Sequence, residues 1–299
     1  MLHIISNPPF GIDWKREKTQ VESEAKRGFD GRFGPGLPAI SDGQMLFMLN
    51  GVKKLKEGSG RMAIIQNGSS LFTGDAGSGA SEIRRYVIEG DLVEAIIQLP
   101  TDLFYNTGIS TYIWVLTKGK AMHRSGKVQL IDASKCFVKR RKNIGSKRVD
   151  LDDACIDLIL CAYEDFGNET YEENGLVVES KVFDNSFFGF TKVTVETAQA
   201  DSNGKPVLKK GKKQPVKGAS DTEIIPLSED IDAYMEKNVL PYNSLAYIDH
   251  AKDKIGYEVP FTRLFYKFVP PESSDAIFEE IKALEAAETI LMKELFGNA

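Results

Sequence analysis

Apolar positions along the chain fall into short runs separated by glycine, proline and charge, and the runs alternate between two spacings. Leu2-His3-Ile4-Ile5-Ser6, Arg61 to Gln66, Leu92 to Leu99 and Ile109 to Thr117 are apolar runs of strand length. Met45 to Leu55 and Ser81 to Ile88 carry apolar residues at helical spacing between them. That alternation predicts a parallel sheet with crossover helices. The last two runs are joined by a loop too short for a helical crossover, so the final strand is expected to run antiparallel. Val128 to Asp132 reads as a further strand. After Pro270-Pro271-Glu272, Ser274 is placed to cap a helix in which Ile277, Ile281, Leu284, Leu291 and Leu295 line one apolar face, interrupted by Glu288. The fold class read from the pattern is α/β: a mostly parallel sheet with one antiparallel strand, followed by a mixed and helical carboxyl-terminal region.

Between the runs, Asp13 to Asp42 is charged and glycine-rich without sustained periodicity, and is read as a mobile loop beside the first strand. Gly74-Asp75-Ala76-Gly77-Ser78-Gly79 is read as a flexible loop. Lys139-Arg140-Arg141-Lys142 is a basic run; contact with phosphate is one reading, but such runs are more often solvated faces, and that is the preferred reading. Acidic residues are frequent from Asp150 to Glu173. Asp201 to Ser220, rich in lysine and poor in apolar residues, reads as a linker. Three regions follow: 1–120, 121–250 with its loop at 201–220, and 251–299.

Composition narrows the class. The 299 residues are 42% hydrophobic, as a chain with a packed core requires. Cys136, Cys155 and Cys161 are few and odd in number, which suits a reducing cytoplasm with buried thiols, and no Cys or His spacing suggests a metal site. No run approaches the length of a membrane span. The net charge of -5 argues against tight autonomous binding of nucleic acid, because such affinity comes largely from Lys and Arg.

Asn7-Pro8-Pro9-Phe10 follows the first strand directly. Ligands gather outside the carboxyl ends of strands in open α/β sheets, and an Asn before two prolines presents a rigid amide and an exposed carbonyl there. The Asn7 side-chain oxygen and the Pro8 carbonyl can each accept one N–H of a planar exocyclic amine. Phe10 can stack on its ring, and Pro9 fixes the turn. An ordinary Pro-Pro turn would carry the same four residues.

Several ordered blocks carry a resemblance. Asn7 to Trp14, Arg61 to Gly68, Ser70 to Gly74, Leu99 to Ile109, Tyr112 to Leu116, Ile255 to Arg263 and Phe265 to Lys267 together resemble the modification subunit of type I restriction-modification systems, adenine-N6 DNA methyltransferases that use S-adenosylmethionine. The resemblance implies a partial Rossmann-like methyltransferase fold beginning at the Asn-Pro-Pro-Phe motif. It further implies Asn7, Pro8, Pro9 and Phe10 as catalytic residues acting on a flipped adenine, Phe104 or Tyr105 as a second aromatic binding the base, and Asn7 as the residue beside the cofactor. Most of the S-adenosylmethionine site, in a glycine-rich turn, is expected ahead of the motif. The implied partners are the specificity and restriction subunits, with double-stranded DNA held mainly through the partner. The strand at the motif is then expected to present an exposed apolar edge. RNA adenine, a protein glutamine amide, or a non-enzymatic subunit that only binds the specificity subunit remain open.

Overall fold

The computed structural model describes residues 1–268 and 270–297. Contacts divide the chain into two compact units, Met1–Phe261 and Thr262–Ala299. The first unit opens with β1 (His3–Ser6), α1 (Lys18–Ala25), α2 (Gln44–Lys54), β2 (Arg61–Asn67), α3 (Ser69–Phe72), α4 (Gly79–Glu89), β3 (Val93–Gln98), β4 (Thr111–Thr117) and β5 (Lys127–Asp132). It continues through β6 (Val138–Ile144), β7 (Lys147–Asp150), α5 (Asp153–Asp165), β8 (Thr170–Glu173), β9 (Leu176–Asp184) and β10 (Gly189–Ala198). Then come β11 (Leu208–Lys209), β12 (Lys212–Lys213), β13 (Pro215–Pro226), α6 (Ile231–Asn238), β14 (Ala246–Ile248) and β15 (Lys254–Tyr257). The chain ends with α7 (Phe261–Phe265) and α8 (Ser274–Phe296).

The main sheet has seven strands in the order β1-β2-β4-β3-β5-β9-β8. Strands β1, β2, β3, β5 and β8 run one way, and β4 and β9 oppose them. Strand β4 is the expected antiparallel strand, inserted between β2 and β3; β9 is a second one, in the part of the sheet beyond β5. Strand β3 is buried along nearly its whole length, which explains an apolar run broken only by Glu94, whereas β2 alternates and buries Met62, Ile64 and Gln66. Helices α2 and α4 supply Met45, Leu49, Ala80 and Ile83 to a core cluster shared with Trp14, Val21 and Phe33. Strand β1 lies at the edge, paired among the described residues with β2 alone, and its Ile5 is 91% exposed. At the amino end of the sheet, Glu94 is buried against Arg61 at 2.7 Å.

Helix α4 begins at an extended Ser78, whose hydroxyl accepts the Ser81 N–H. Its apolar stripe contains a charge. Arg84 is fully buried and donates to the carbonyls of Tyr257 (2.5 Å), Ser70 (3.2 Å) and Thr73 (3.0 Å), two of which are carbonyls at or near the end of α3. Burial pulls the guanidinium down to about 10, still charged at neutral pH.

Four expectations change. Asp13 to Asp42 contains α1 and anchors Trp14, Val21 and Phe33 in the core, because isolated large apolar residues hold a segment that has no period. Gly74 to Gly79 is a packed turn: the Gly77 N–H donates to the Ile255 carbonyl, Asp75 pairs with Lys192 at 2.8 Å, and a Cβ on Gly79 would meet the Leu37 carbonyl at 1.9 Å. Asp201 to Ser220 is a hairpin leading into β13, whose backbone pairs along β10 from Phe190↔Pro226 to Glu196↔Ser220. Cys136 and Cys155 are buried as expected, but Cys161 is exposed on α5.

In the second unit, α8 is capped by Ser273, one residue before the expected Ser274, because it is the Ser273 hydroxyl that accepts the Ala276 N–H. None of the described side chains of α8 is buried, and Ile277, Ile281, Leu284, Leu291 and Leu295 are all exposed. The expected region 251–299 extends to Asn298 and Ala299, which lie outside the described residues, as does Val269.

Candidate active site

The carboxyl ends of β1, β2, β3 and β5 and the start of β4 meet at one edge of the sheet. Pairing of β1 with β2 runs from His3↔Arg61 to Ser6↔Ile64 and stops there. The two prolines that follow Asn7 have no N–H to extend the ladder, so the chain turns away. Pro8 is buried, Phe10 is half-buried, and Asn7 and Pro9 are exposed. Gly11 at φ +64° completes the turn. The exit is then fixed by the Trp14 N–H on the Ile40 carbonyl (3.1 Å), the Trp14 indole on the Ala39 carbonyl (3.0 Å) and the Gly43 N–H on the Ile12 carbonyl (2.9 Å). Among the described residues, nothing hydrogen-bonds the Asn7 side chain or the Pro8 carbonyl. Neither acceptor of the motif is engaged by another described residue.

The neighbouring strand end carries a polar cluster to which the sequence reading assigned no role. Gln44, buried at the start of α2, donates to Asp42 Oδ2 at 2.8 Å and Asn67 Oδ1 at 2.7 Å, and its carbonyl Oε1 accepts the Asn67 N–H at 3.0 Å. The Ser69 hydroxyl lies 2.6 Å from both Asp42 Oδ2 and Asn67 Oδ1. The only signal for it in the sequence is Gln66-Asn67 at the polar end of an apolar strand. Two buried oxygens at this edge have no partner among the described residues: Gln66 Oε1 and Thr111 Oγ1, in a register that pairs Asn67 with Thr111 and Gln66 with Tyr112.

That register continues as a polar row across four strands, Gln66, Tyr112, Gln98 and Asp132. Residues in register share a face, so these groups line one side of the sheet's carboxyl end. Burial, with Asp132 adding, holds the Tyr112 phenol above its usual range.

The β3–β4 loop carries the two aromatics implied by the resemblance. Phe104 is half-buried, bridged to Thr107, and Tyr105 is 56% exposed. The loop is braced by the β6–β7 hairpin: the Arg148 N–H donates to the Asp102 carbonyl (2.8 Å), the Ser146 N–H to the Tyr105 carbonyl (2.9 Å), and Lys147 Nζ sits 5.3 Å from the Tyr105 ring centre. Asn7, Pro8, Pro9 and Phe10 thus share an edge with Phe104 and Tyr105. With β2 and β4 between them, β1 and β3 stand about 14 Å apart at ordinary strand spacing. No ring contact joins Phe10 to either loop aromatic among the described residues.

A cleft of about 830 Å³ opens immediately after the motif, lined by Gly11, Ile12 and Trp14, by Arg32, and by Leu46 and Phe47 of α2. Its wall is braced by Arg32, which binds Glu24 through Nε (2.7 Å) and Nη2 (2.5 Å) and holds that carboxyl down to about 2. Among the described residues, no group of His, Cys, Asp and Glu is placed to hold a metal, and no helix is long and apolar enough to cross a membrane.

A family model described as N-6 DNA Methylase matches residues 1–201. The methylase subunit of the type I restriction enzyme MjaVII of Methanocaldococcus jannaschii is 29% identical over 157 residues, 50% of this chain and 26% of that protein. The MpnII methylase subunit of Mycoplasma pneumoniae is 31% identical over 142 residues, 47% of this chain and 24% of that protein. A type I restriction-modification methyltransferase subunit from Streptococcus thermophilus has a solved structure that is 28% identical with a TM-score of 0.49, covering 62% of this chain and 34% of that one. The chain therefore spans about a quarter of the length of these two curated relatives.

Proposed function

The chain belongs to the N-6 DNA methylase family, and from that premise we propose that it carries the base-binding half of an adenine-N6 DNA methyltransferase of a type I restriction-modification system. The reading is supported above all by the Asn7 side chain and the Pro8 carbonyl, held at the carboxyl end of β1 with no hydrogen-bond partner among the described residues. An adenine amino group is a weak nucleophile because its lone pair is delocalised into the ring. It needs two acceptors that orient its N–H bonds and stabilise the positive charge that develops on nitrogen, and these two oxygens supply that. Pro9 keeps the turn stiff and Phe10 stacks on the base. The base must leave the duplex to reach this edge, and stacking offsets part of the unstacking cost. Phe104 is the second aromatic, with Tyr105 as its alternative.

The donor we assign is S-adenosylmethionine, which supplies an electrophilic methyl group when bound. Asn7 is the residue of this chain beside it. In the turn at 74–79 the Leu37 carbonyl closes on Gly79 and the Ile255 carbonyl takes the Gly77 N–H, so the cofactor is not assigned to this turn. The remaining walls of that pocket belong to a segment that adds to the free edge of β1 and covers Ile5. The apolar face of α8 meets the specificity subunit, through which DNA is mainly held, with the restriction subunit completing a cytoplasmic complex.

A substrate panel tests the reading. In a complex reconstituted with its specificity subunit, methyl transfer to adenine in duplex DNA is expected, with none to RNA or to a peptide glutamine. Replacing the target adenine by 2-aminopurine should give a fluorescence rise on binding that Phe104→Ala changes. Transfer to RNA or peptide in preference to DNA would contradict it.

A further inference from the structure

The β6–β7 hairpin, whose first strand carries the basic run, packs through its tip and second strand on the aromatic loop more than thirty residues earlier in the chain. Residues 138–150 hold six basic side chains and one acidic, a local charge of +5 in a chain whose net charge is -5. Asp150 engages two of the six, Arg140 and Lys147. Lys139, Arg141, Lys142 and Arg148 are exposed, and no carboxylate lies within ion-pair distance of them among the described residues. Four unneutralised cations on one short hairpin repel one another unless an anion joins them.

The hairpin is also held in place. Gly145, at φ +59°, lets its tip approach the β3–β4 loop so closely that a Cβ there would meet the Tyr105 carbonyl at 2.6 Å. The Ser146 and Arg148 N–H groups then pin it to Tyr105 and Asp102. A solvated charged face has no need of such bracing, whereas a phosphate clamp must keep a fixed distance from the base it serves.

We propose that the β6–β7 hairpin grips the phosphate backbone of the nucleic-acid strand beside the base that enters the Asn7–Phe10 site, through Lys139, Arg141, Lys142 and Arg148. The proposal rests on the methyltransferase reading for its placement. It is a sequence-independent contact that positions the strand and leaves recognition of the DNA site to another surface.

The test is the salt dependence of binding between the full chain and a fluorescein-labelled, adenine-containing single-stranded oligonucleotide, read by anisotropy. Each phosphate contact removed lowers the slope of log K against log salt by roughly 0.7, so K139A/R141A/K142A should lower it by about 2 and weaken binding more than tenfold near 20 mM salt. Replacing Lys139 and Lys142 together by Arg should retain the slope. The control K209A/K210A/K212A removes the same charge from the exposed β11–β12 hairpin and should leave the slope unchanged. Absence of wild-type binding near 20 mM salt, an unaltered slope in the first triple, or equal losses in both triples overturns the proposal. Methyl transfer by the wild-type reconstituted complex separates the two readings: no transfer to adenine in duplex DNA removes the methyltransferase assignment, while a slope lost only in the first triple still places phosphate on the hairpin.

Discussion

Replacing Arg84 by Met should destabilise the first unit by about 3 kcal/mol, and the structure shows why the loss is large for a residue that no substrate touches. Met keeps the length and helix propensity of the side chain, so α4 itself is not weakened. Three backbone carbonyls lose a charged donor, those of Ser70 and Tyr257 at buried bonds and that of Thr73 at a part-buried one. Hydrogen bonds to a charged group contribute about 1.5–3 kcal/mol each, which sets a gross loss of at least about 4.5 kcal/mol. Relief from burying a guanidinium, the same burial that pulls it down to about 10, returns part of this. The net change is to be read from urea unfolding followed by tryptophan fluorescence, as a midpoint shift at constant slope. Trp114 suits the purpose, because it is fully buried and its indole donates to the Ser70 hydroxyl at 3.2 Å, on the turn that Arg84 holds. A loss below about 1 kcal/mol would refute the assignment of Arg84 as the donor that caps α3 and ties β15 to it.

Three further outcomes are expected. Ile5→Lys should abolish concentration-dependent self-association in sedimentation velocity, since an Ile that is 91% exposed on an edge strand offers about 2 kcal/mol to whatever covers it; a wild-type chain that is monodisperse at all concentrations would contradict this. The Arg32 contact holds the Glu24 carboxyl at about 2 against an ordinary 4.5, so its folded form binds a proton less readily than its unfolded form. Its stabilisation is therefore present above about pH 4.5 and lost as pH falls towards 2; protection of the Asp13–Asp42 amides against hydrogen exchange should drop in that window for the wild type, and Glu24→Gln should remove the transition. Ser273→Ala should fray the first turn of α8 by about 1 kcal/mol, seen as reduced helical signal in circular dichroism, while Ser274→Ala should not; equal effects would contradict the observed cap.

The parts of this fold that were legible in the sequence are those where burial follows a period. Strand β3 reads as a nearly continuous apolar run, with Glu94 its one charge, because both its faces are covered, and the short β3–β4 connection dictates an antiparallel partner. Trp14, Val21 and Phe33 each anchor a stretch of polar chain, and three such residues at irregular spacing give no periodic signal. Strand β13 was missed because its first half is exposed, leaving no alternation to read. At the candidate site, the place of Asn7 after a strand was readable from an apolar run followed by two prolines. The part-buried cluster of Asp42, Gln44, Asn67 and Ser69 was not, since it joins a loop, a helix start and a strand end that only the packing of α2 on β2 brings together. Arg84 did leave a trace: it interrupts the stripe Ile83, Val87, Ile88, and a charge on a buried face must find acceptors.

The central claim is that the Asn7 side chain holds the target amino group, and single-turnover methyl transfer measures it most directly. In the reconstituted complex, with labelled S-adenosylmethionine in excess and duplex DNA containing the recognised adenine, Asn7→Ala should lower the rate by about 10²–10³-fold or more, while the unfolding midpoint and DNA affinity stay near those of the wild type. A variant that transfers methyl at the wild-type rate would contradict the account.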